Sequence, residues 1–248
     1  MEEKNEQQEL NLPLLNASQA VYALLARLWA EPIDQAALTA LTSPNWEVVL
    51  QLFDEQKSEM GDSSTSLLRT YEDLVATAER LGIECLQSAY NWCFMGLGTK
   101  VAPWESVYVT NERLIMQKST LAVRQAYAAA GFVARNKGSE PDDHIATECD
   151  FMAKLAERAS EALTADDKAT CHSLLSQAQS FLEKHLVVYI QDFAEAFDEA
   201  ADKARACDEQ YAQNAKAFYG VLAQFCATFF ELDCAVLCEV DTAVSAQH

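Results

Sequence analysis

Apolar side chains recur along most of this chain at intervals of three and four residues, which is the period of an α-helix. The first pattern begins at Asn16 and continues to Trp29. Pro32 then ends it, because the residue before a proline avoids the helical conformation. Residues 1–12 are polar and charged without an apolar stripe, so we predict that they form a disordered tail.

Glycines divide the middle of the chain. Gly82 ends one helical pattern, and an apolar stripe from Leu86 to Leu97 predicts the next helix, which Gly98 releases into a loop. The other helices are predicted at 34–41, 44–55, 66–81, 115–130, 141–160, 167–186, 188–205 and 209–238, with breaks inside the last two. The four β-prone residues SVYV lack a partner strand. We therefore predict an all-α fold for 13–248, a single bundle of roughly ten helices.

Composition agrees with a helical protein, since hydrophobic residues make up 50% of the chain and there are only 7 glycines and 5 prolines. The net charge is −20, which repels nucleic acid and anionic lipid and attracts cationic ligands, although solubility alone also explains it. The N-terminal residues lack the apolar core of a signal peptide. The longest nearly apolar stretch, 218–230, is too short to span a bilayer. These features predict a cytoplasmic protein.

The 8 cysteines contain no Cys-x-x-Cys motif. Cys234 and Cys238 are four residues apart and could share a metal ion on one helix face, but no second pair is near them in sequence. Cysteine is often a small buried hydrophobic residue, and we favour that interpretation over a zinc site for all of them.

The segment SEPDDHIATE at 139–148 concentrates acidic residues around a proline and a histidine. Pro141 suits the first turn of a helix, and Ser139 or Glu140 could cap that turn. Acidic residues there would also lie at the positive end of the helix dipole. A helix N-terminus therefore explains most of the carboxylates in this segment.

His144 is not explained by that cap. It could be a general base oriented by Asp143 or Glu148, or it could share a metal ion with Glu148 one helical turn later. Both signals are weak, and the chain contains neither a GxSxG nucleophile motif nor a phosphate-binding loop. From the residues alone we rank a cap with a structural histidine first, a recognition surface second and catalysis third.

The segment APWESVYV at 102–109 follows a glycine-containing loop. Its Pro103 and Trp104 could line a groove for an apolar peptide, or Trp104 could pack on the core. Tyr90 and Phe94 are likewise aromatic residues that are more often buried than exposed to a ligand.

Several segments appear in one order along the chain: YNWCFMGLG, PWESVYV, STLAVRQAYAAAG, EPDDHIATECDFMAKLAE and FLEKHL. Together, over about 85–190, they resemble the TorD/DmsD/NarJ family of redox-enzyme maturation chaperones, on its DmsD-like and TorD-like side. The family's motifs are Tyr/Trp-x-x-Leu-Phe-x-Gly, Pro-x-x-Ser-Val-Tyr/Trp and Glu-Pro-x-Asp-His. This chain departs from the first motif at Cys93, where leucine is usual.

The resemblance implies an all-helical cytoplasmic chaperone that is not an enzyme and holds no cofactor or metal ion. Such a chaperone binds the twin-arginine signal peptide of a molybdopterin-dependent oxidoreductase, of the DMSO or TMAO reductase type, until its cofactor is inserted before export. Neither nucleic acid nor stable membrane insertion is expected. The oligomeric state could be a monomer or a homodimer. Family members can exchange helical parts between chains about a hinge, which we expect near 136–141, with Gly138 and Pro141.

Residue by residue, the resemblance gives Asp143, with Glu140 or Asp142, the role of binding the arginines through charge-assisted hydrogen bonds. The aromatic residues and the proline would form an apolar wall. The complete set of residues that we expect to bind the signal peptide is Tyr90, Phe94, Pro103, Trp104, Ser106, Tyr108, Glu140, Asp142, Asp143 and His144.

Three alternatives remain open from the sequence. One is a NarJ-like assembly chaperone for a nitrate reductase subunit that is not exported. A second is a metal- or nucleotide-dependent helical enzyme that uses Asp142, Asp143, His144 and Glu148. The third is a helical protein with an acidic surface and no peptide groove.

Overall fold

A computed structural model describes residues 2–59, 66–95, 99–110, 112–134 and 140–245, without the side chains of residues 2–10 and 59. Its described residues are mostly helical and contain no β-strand, so the all-α prediction is confirmed. The helices are α1 (Glu2–Ala30), α2 (Gln35–Leu41), α3 (Asn45–Glu59), α4 (Leu67–Phe94), α5 (Lys118–Ala129), α6 (Ile145–Thr164), α7 (Lys168–Phe181), α8 (Val187–Asp202), α9 (Glu209–Ala215) and α10 (Val221–Ser245).

Two π turns join neighbouring helices. Leu182–Leu186 connects α7 to α8, and Lys216–Gly220 connects α9 to α10. The described ranges therefore hold 8 continuous helices, slightly fewer than predicted. A π turn keeps the chain helical while it shifts the hydrogen-bond pattern by one residue. The extra residue shifts the apolar positions out of the regular helical period. For this reason the sequence predicts a break near residue 187, although the helical backbone continues there.

The first helix begins at Glu2, although we predicted its start near Asn16 and a disordered tail over 1–12. The segment is rich in Glu, Gln and Lys, which have high helix propensity and need no apolar face to extend a helix. Pro13 lies inside α1. The predicted interruption at Gly82 is present as a kink within α4, because Gly82 has a φ of 73° that other residues rarely adopt.

Helices α1 and α6 pack against each other in antiparallel directions. Near one end of the pair, the Ser160 hydroxyl donates to Asn16 Oδ1 at 2.6 Å. At the other end, Glu31, just after α1, and His144, just before α6, line the same groove. The buried side chains of α1 include Tyr22 and Trp29, both at most 1% exposed. This pair of helices therefore forms both part of the core and the walls of the groove.

The C-terminal helix runs continuously over Glu209–Ser245 and passes through the stretch that we judged too short to span a bilayer. Its length and its mean hydropathy of 1.7 would permit a membrane span, but 61% of that window is buried inside the protein. The aromatic residues of α10 pack inward; Phe229, for example, lies 4.9 Å from Tyr22, ring centroid to ring centroid. The apolar composition of this helix is thus largely explained by its place in the core.

A buried carboxylate ties α1 to α10. Asp233 is fully buried and accepts hydrogen bonds from the Ser18 hydroxyl at 2.6 Å and the Tyr22 hydroxyl at 2.9 Å. Burial raises the pKa of Asp233 to about 6, and the two hydroxyl donors only partly oppose that effect. The folded protein therefore binds a proton at the Asp233 carboxyl group more tightly than the unfolded chain does. Protonation of Asp233 consequently stabilises the folded state.

We predict that the Asp233 contribution is complete below about pH 4 and lost as the pH rises to about 6, a change of about 3 kcal/mol in unfolding free energy. Urea unfolding followed by circular dichroism between pH 4 and 7 measures it. In Asp233→Asn, the unfolding free energy is expected to lack this dependence on pH. In the control Asp73→Asn, on the exposed face of α4, the dependence is expected to remain. Equal slopes in wild type and Asp233→Asn would contradict the prediction.

Candidate functional site

Two of the motif segments, Pro-Trp-Glu and Asp-His-Ile, lie side by side as a short antiparallel bridge. The Glu105 N–H donates to the Asp143 carbonyl at 3.0 Å, and the Ile145 N–H donates to the Pro103 carbonyl at 2.9 Å. These bonds satisfy backbone groups that would otherwise be buried without partners. The two segments are thereby held as one unit at the start of α6.

His144 is the N-cap of α6, and its Nδ1 accepts a hydrogen bond from the Ala146 N–H at 3.1 Å. The helix begins at Ile145 rather than near residue 141, so Glu140 is not the cap, and Ser139 lies outside the described residues. Burial lowers the pKa of His144 to about 4, so the imidazole is neutral at pH 7. A structural role for this histidine, the first of our ranked interpretations, therefore fits the geometry.

Trp104 fixes a carboxylate at the edge of the same unit. Its Nε1–H donates to Glu140 Oε1 at 2.8 Å, and its ring lies edge-on to His144 with centroids 6.2 Å apart. Trp104, Glu140 and His144 are all half-buried. The bond constrains the Glu140 side chain, which also lines the neighbouring groove.

A groove of about 550 Å³ lies between α1 and α6 beside this unit. Its walls carry small side chains from both helices, which leave room for another chain to approach. They are Ala23, Ala26, Ala30, Ala146 and Ala153. The carboxylates that line it are Glu31, Glu140 and Asp150, and its other polar residues are Gln19, Arg27, His144, Thr147 and Lys154.

The two cations of the groove are already paired. Arg27 contacts Asp34 at 3.0 Å, and Lys154 contacts Glu157 at 2.7 Å. By contrast, within the described part of the chain no hydrogen bond or ion pair engages Glu31 or Asp150. The groove thus offers carboxylates that are free to accept from a ligand.

Two of these carboxylates lie at one end of the groove. Burial raises the pKa of Tyr90 well above its usual value, and the charges of Glu140 and Glu31 raise it further. The Tyr90 hydroxyl donates to the Trp29 carbonyl at 3.1 Å, close to the end of α1 that Glu31 follows. Glu31 and Glu140 together make this the more acidic end.

Beneath the motif segments lies a buried network of acidic and aromatic residues. Glu105 contacts His185 Nδ1 at 2.9 Å, and Glu148 accepts from the Tyr189 hydroxyl at 2.7 Å. Burial, and next the charge of Glu105, raise the pKa of Glu148 well above its usual value. His185 belongs to the first π turn, so this turn connects the C-terminal helices to the motif segments.

Several predicted binding residues are committed to the protein's own interior, which corrects the role that we expected for the aspartates. Asp143 is fully buried and accepts from the Ser106 N–H at 2.8 Å, and Ser106 is also fully buried. Asp142 is 5% exposed and bonds Arg124 at 2.6 Å. Both carboxylates are buried and bonded within the protein, so they are not exposed to arginines of a ligand.

The predicted apolar wall is mostly core. Tyr90 and Pro103 are buried, and the half-buried Phe94 packs its ring 4.8 Å from that of Tyr90. Tyr108 donates to the Ala102 carbonyl at 2.8 Å and stacks on an interior tyrosine. Of the predicted binding residues, Glu140 and His144 line the groove, and Trp104 contacts both of them.

Sequence reasoning missed Glu31 and Asp150 as groove residues. Glu31 appeared only as the end of a helix before Pro32, and Asp150 only as an acidic residue inside the quoted segment EPDDHIATECDFMAKLAE, with no role assigned to it. No local pattern marks either residue, because their roles depend on how α1 and α6 pack. Glu105 and His185 lie inside quoted motifs, PWESVYV and FLEKHL, but their contact joins segments far apart in sequence.

The pairing of His144 with Glu148, on which a catalytic or metal-dependent role would depend, does not form. His144 Nδ1 caps the helix, whereas Glu148 points to Tyr189. In the described ranges no group of three His, Cys, Asp or Glu side chains is arranged to hold a metal ion. Several cysteines, such as Cys93 and Cys149, are buried small residues of the core, while Cys238 is exposed.

We predict that the buried Glu105–His185 contact stabilises the motif unit. Glu105→Gln and His185→Gln should each destabilise the protein, and their double-mutant cycle should give a coupling of about 1–3 kcal/mol in urea unfolding. The exposed Glu199–Lys203 pair is the matched control, where we expect little coupling because water screens it. Strictly additive effects of the two buried substitutions would contradict this prediction.

The chain is similar to known proteins over most of its length. The family model "Nitrate reductase delta subunit" matches residues 58–195, which is more than half of the chain and includes the groove-forming start of α6. A crystal structure from Archaeoglobus fulgidus, described as that of a redox enzyme maturation protein, has a TM-score of 0.43 and 17% identity, covering 86% of this chain and 93% of the other.

Curated relatives match over most of their length. "Chaperone protein TorD" of Vibrio cholerae serotype O1 (strain ATCC 39541) is 30% identical over 193 residues, 74% of this chain and 81% of the relative. "Probable Tat proofreading chaperone DmsD" of Haemophilus influenzae is 27% identical over 176 residues, 69% of this chain and 79% of the relative. The family expected from the motifs is thus confirmed. The chain belongs to the TorD/DmsD/NarJ family of redox-enzyme maturation chaperones, whose members are chaperones rather than enzymes.

Proposed function

We propose that this protein is a cytoplasmic chaperone that binds the twin-arginine signal peptide of a molybdopterin-dependent oxidoreductase, of the DMSO or TMAO reductase type. It holds the enzyme until the cofactor is inserted, before export. The observation that carries the proposal is the groove between α1 and α6, with carboxylates that the protein leaves free. The name of the Haemophilus relative, a Tat proofreading chaperone, supports the same choice of ligand.

The chemistry of the groove suits an arginine-containing peptide. A guanidinium group binds carboxylates through two parallel hydrogen bonds, and a free carboxylate is the partner that it needs. Glu31 and Asp150 are free, and Glu140 keeps one oxygen for a ligand. His144 is neutral and therefore does not repel a cation. The volume of about 550 Å³ is within the range of ordinary ligand pockets.

The charge of the whole protein supports the same ligand. A net charge of −20 creates a negative potential that attracts a basic leader peptide and speeds its encounter with the groove. The attraction is not specific for arginine. Specificity therefore depends on the carboxylates of the groove, where bond geometry distinguishes a guanidinium group from an ammonium group.

A second candidate is the assembly of a nitrate reductase subunit that carries no functional export signal. The match to a family model described as nitrate reductase delta subunit favours it. In that case the groove would bind the N-terminus of the client enzyme, and paired arginines would not be required.

We predict that the purified protein binds the Arg-Arg leader of a molybdoenzyme encoded in the same genome with micromolar or tighter affinity in calorimetric titration. A leader with Lys-Lys in place of Arg-Arg should bind at least about tenfold more weakly, because lysine cannot make the paired bonds. Binding of nitrate reductase N-termini, with no binding of any Arg-Arg leader, would favour the second candidate.

We further predict that Trp104→Phe weakens leader binding by about 2- to 10-fold, because it removes the hydrogen bond that positions Glu140 while it keeps an aromatic ring. Trp46→Phe is the matched control. It removes an indole bond to the Ala40 carbonyl, away from the groove, and should leave the affinity unchanged. Equal affinities for the two variants would remove Trp104 from the binding site.

A further inference from the structure

We infer that the groove has two separate acidic subsites, Glu31 with Glu140 at one end and Asp150 on α6, and that each subsite binds one of two adjacent arginines of an extended peptide. The inference rests on the proposed function and specifies which carboxylates of the groove bind each arginine of the ligand. It also assigns specificity to Glu31 and Asp150, two residues to which the motifs gave no binding role.

The first argument is the availability of the carboxylates. Asp142, Asp143 and Glu148 all have partners within the protein. In the part of the chain that the structure describes, Glu31 and Asp150 have neither a hydrogen bond nor an ion pair. Glu31 is exposed and Asp150 is half-buried, so both can reach a ligand in the groove.

The second argument is the separation of the subsites. Glu31 directly follows α1, and Glu140 is bonded to Trp104, which pairs with the N-cap residue His144, so both carboxylates lie at the end of the groove where α6 begins. Asp150 lies six residues after His144 along α6, a distance of about 9 Å at the rise of an α-helix. This separation along the helix leaves room for one cation at each subsite.

The third argument is direction. Glu31 projects from the end of α1, whereas Asp150 belongs to α6 on the other side of the groove. Successive side chains of an extended chain point to opposite sides, so two adjacent arginines would reach the two sides at once. Residues at i and i+2 point to the same side and would leave one subsite without a cation.

The fourth argument is that the groove opposes other arrangements. Arg27 lies in the last turn of α1, four residues before Glu31, and Lys154 lies one turn after Asp150 on α6. A peptide cation displaced along either helix would approach one of these like charges. Both protein cations have their own carboxylate partners, whereas Glu31 and Asp150 have no partner among the described residues, so the free carboxylates are the more favourable positions for the two arginines.

Double-mutant cycles test the inference. The leader peptide described above is titrated calorimetrically into wild type, Glu31→Gln and Asp150→Asn, together with leaders in which the first or the second arginine is glutamine. Each protein variant should lose about tenfold or more in affinity. Each substitution should also be energetically coupled to a different arginine of the leader. When a protein variant is combined with the leader that lacks the matching arginine, the loss in affinity should be no greater than with either change alone. The matched control is Glu161→Gln, an exposed acid on α6 outside the groove, which should retain full affinity.

A leader with an inserted alanine, Arg-Ala-Arg, provides an independent check. It should bind about as weakly as a leader with one arginine, because both side chains then face one side of the groove. The inference is overturned, while the proposed function stands, when the Arg-Arg leader binds wild type and both carboxylate variants equally, or when Arg-Ala-Arg binds as well as Arg-Arg. Failure of every Arg-Arg leader to bind wild type overturns both.

Discussion

A carboxylate that is removed from water must find a partner inside the protein, and this constraint decides which acidic residues of this chain can serve a ligand. Asp143 accepts from a backbone N–H, Asp142 from Arg124, and Glu148 from Tyr189. These bonds hold the motif segments together at the start of α6. The acidic residues that remain free are those that packing leaves at the groove, which is where a cationic peptide would find them.

The antiparallel packing of α1 on α6 creates this groove. The two helices meet closely at the Ser160–Asn16 bond and leave space near Glu31 and His144 at the opposite end. Alanines on both helices keep that space open. Because α1 is also tied to α10 through Asp233, one wall of the groove is anchored in the C-terminal core.

The buried motif residues stabilise the structure, whereas the groove residues are those to which we assign ligand binding. Glu105, Asp143 and Ser106 hold two distant segments in place, and His185 connects that unit to the π turn between α7 and α8. Trp104 belongs to the same unit and positions the Glu140 side chain through one hydrogen bond. A motif can therefore identify a family through residues that support the binding surface without being part of it.

The sequence by itself determined the helical class, an interruption at Gly82 and the family, because helix periodicity, glycine conformation and motif sequence are local properties. That the interruption is a kink within one helix, and not the end of a helix, was shown only by the structure. It also named Glu140, His144 and Trp104, and the structure places these residues at or beside the groove. It misjudged Asp142 and Asp143 and gave no sign of Glu31 or Asp150. Whether a carboxylate is buried with a partner or free in a groove depends on which helices pack beside it, and only the tertiary structure brings α1 and α6 together.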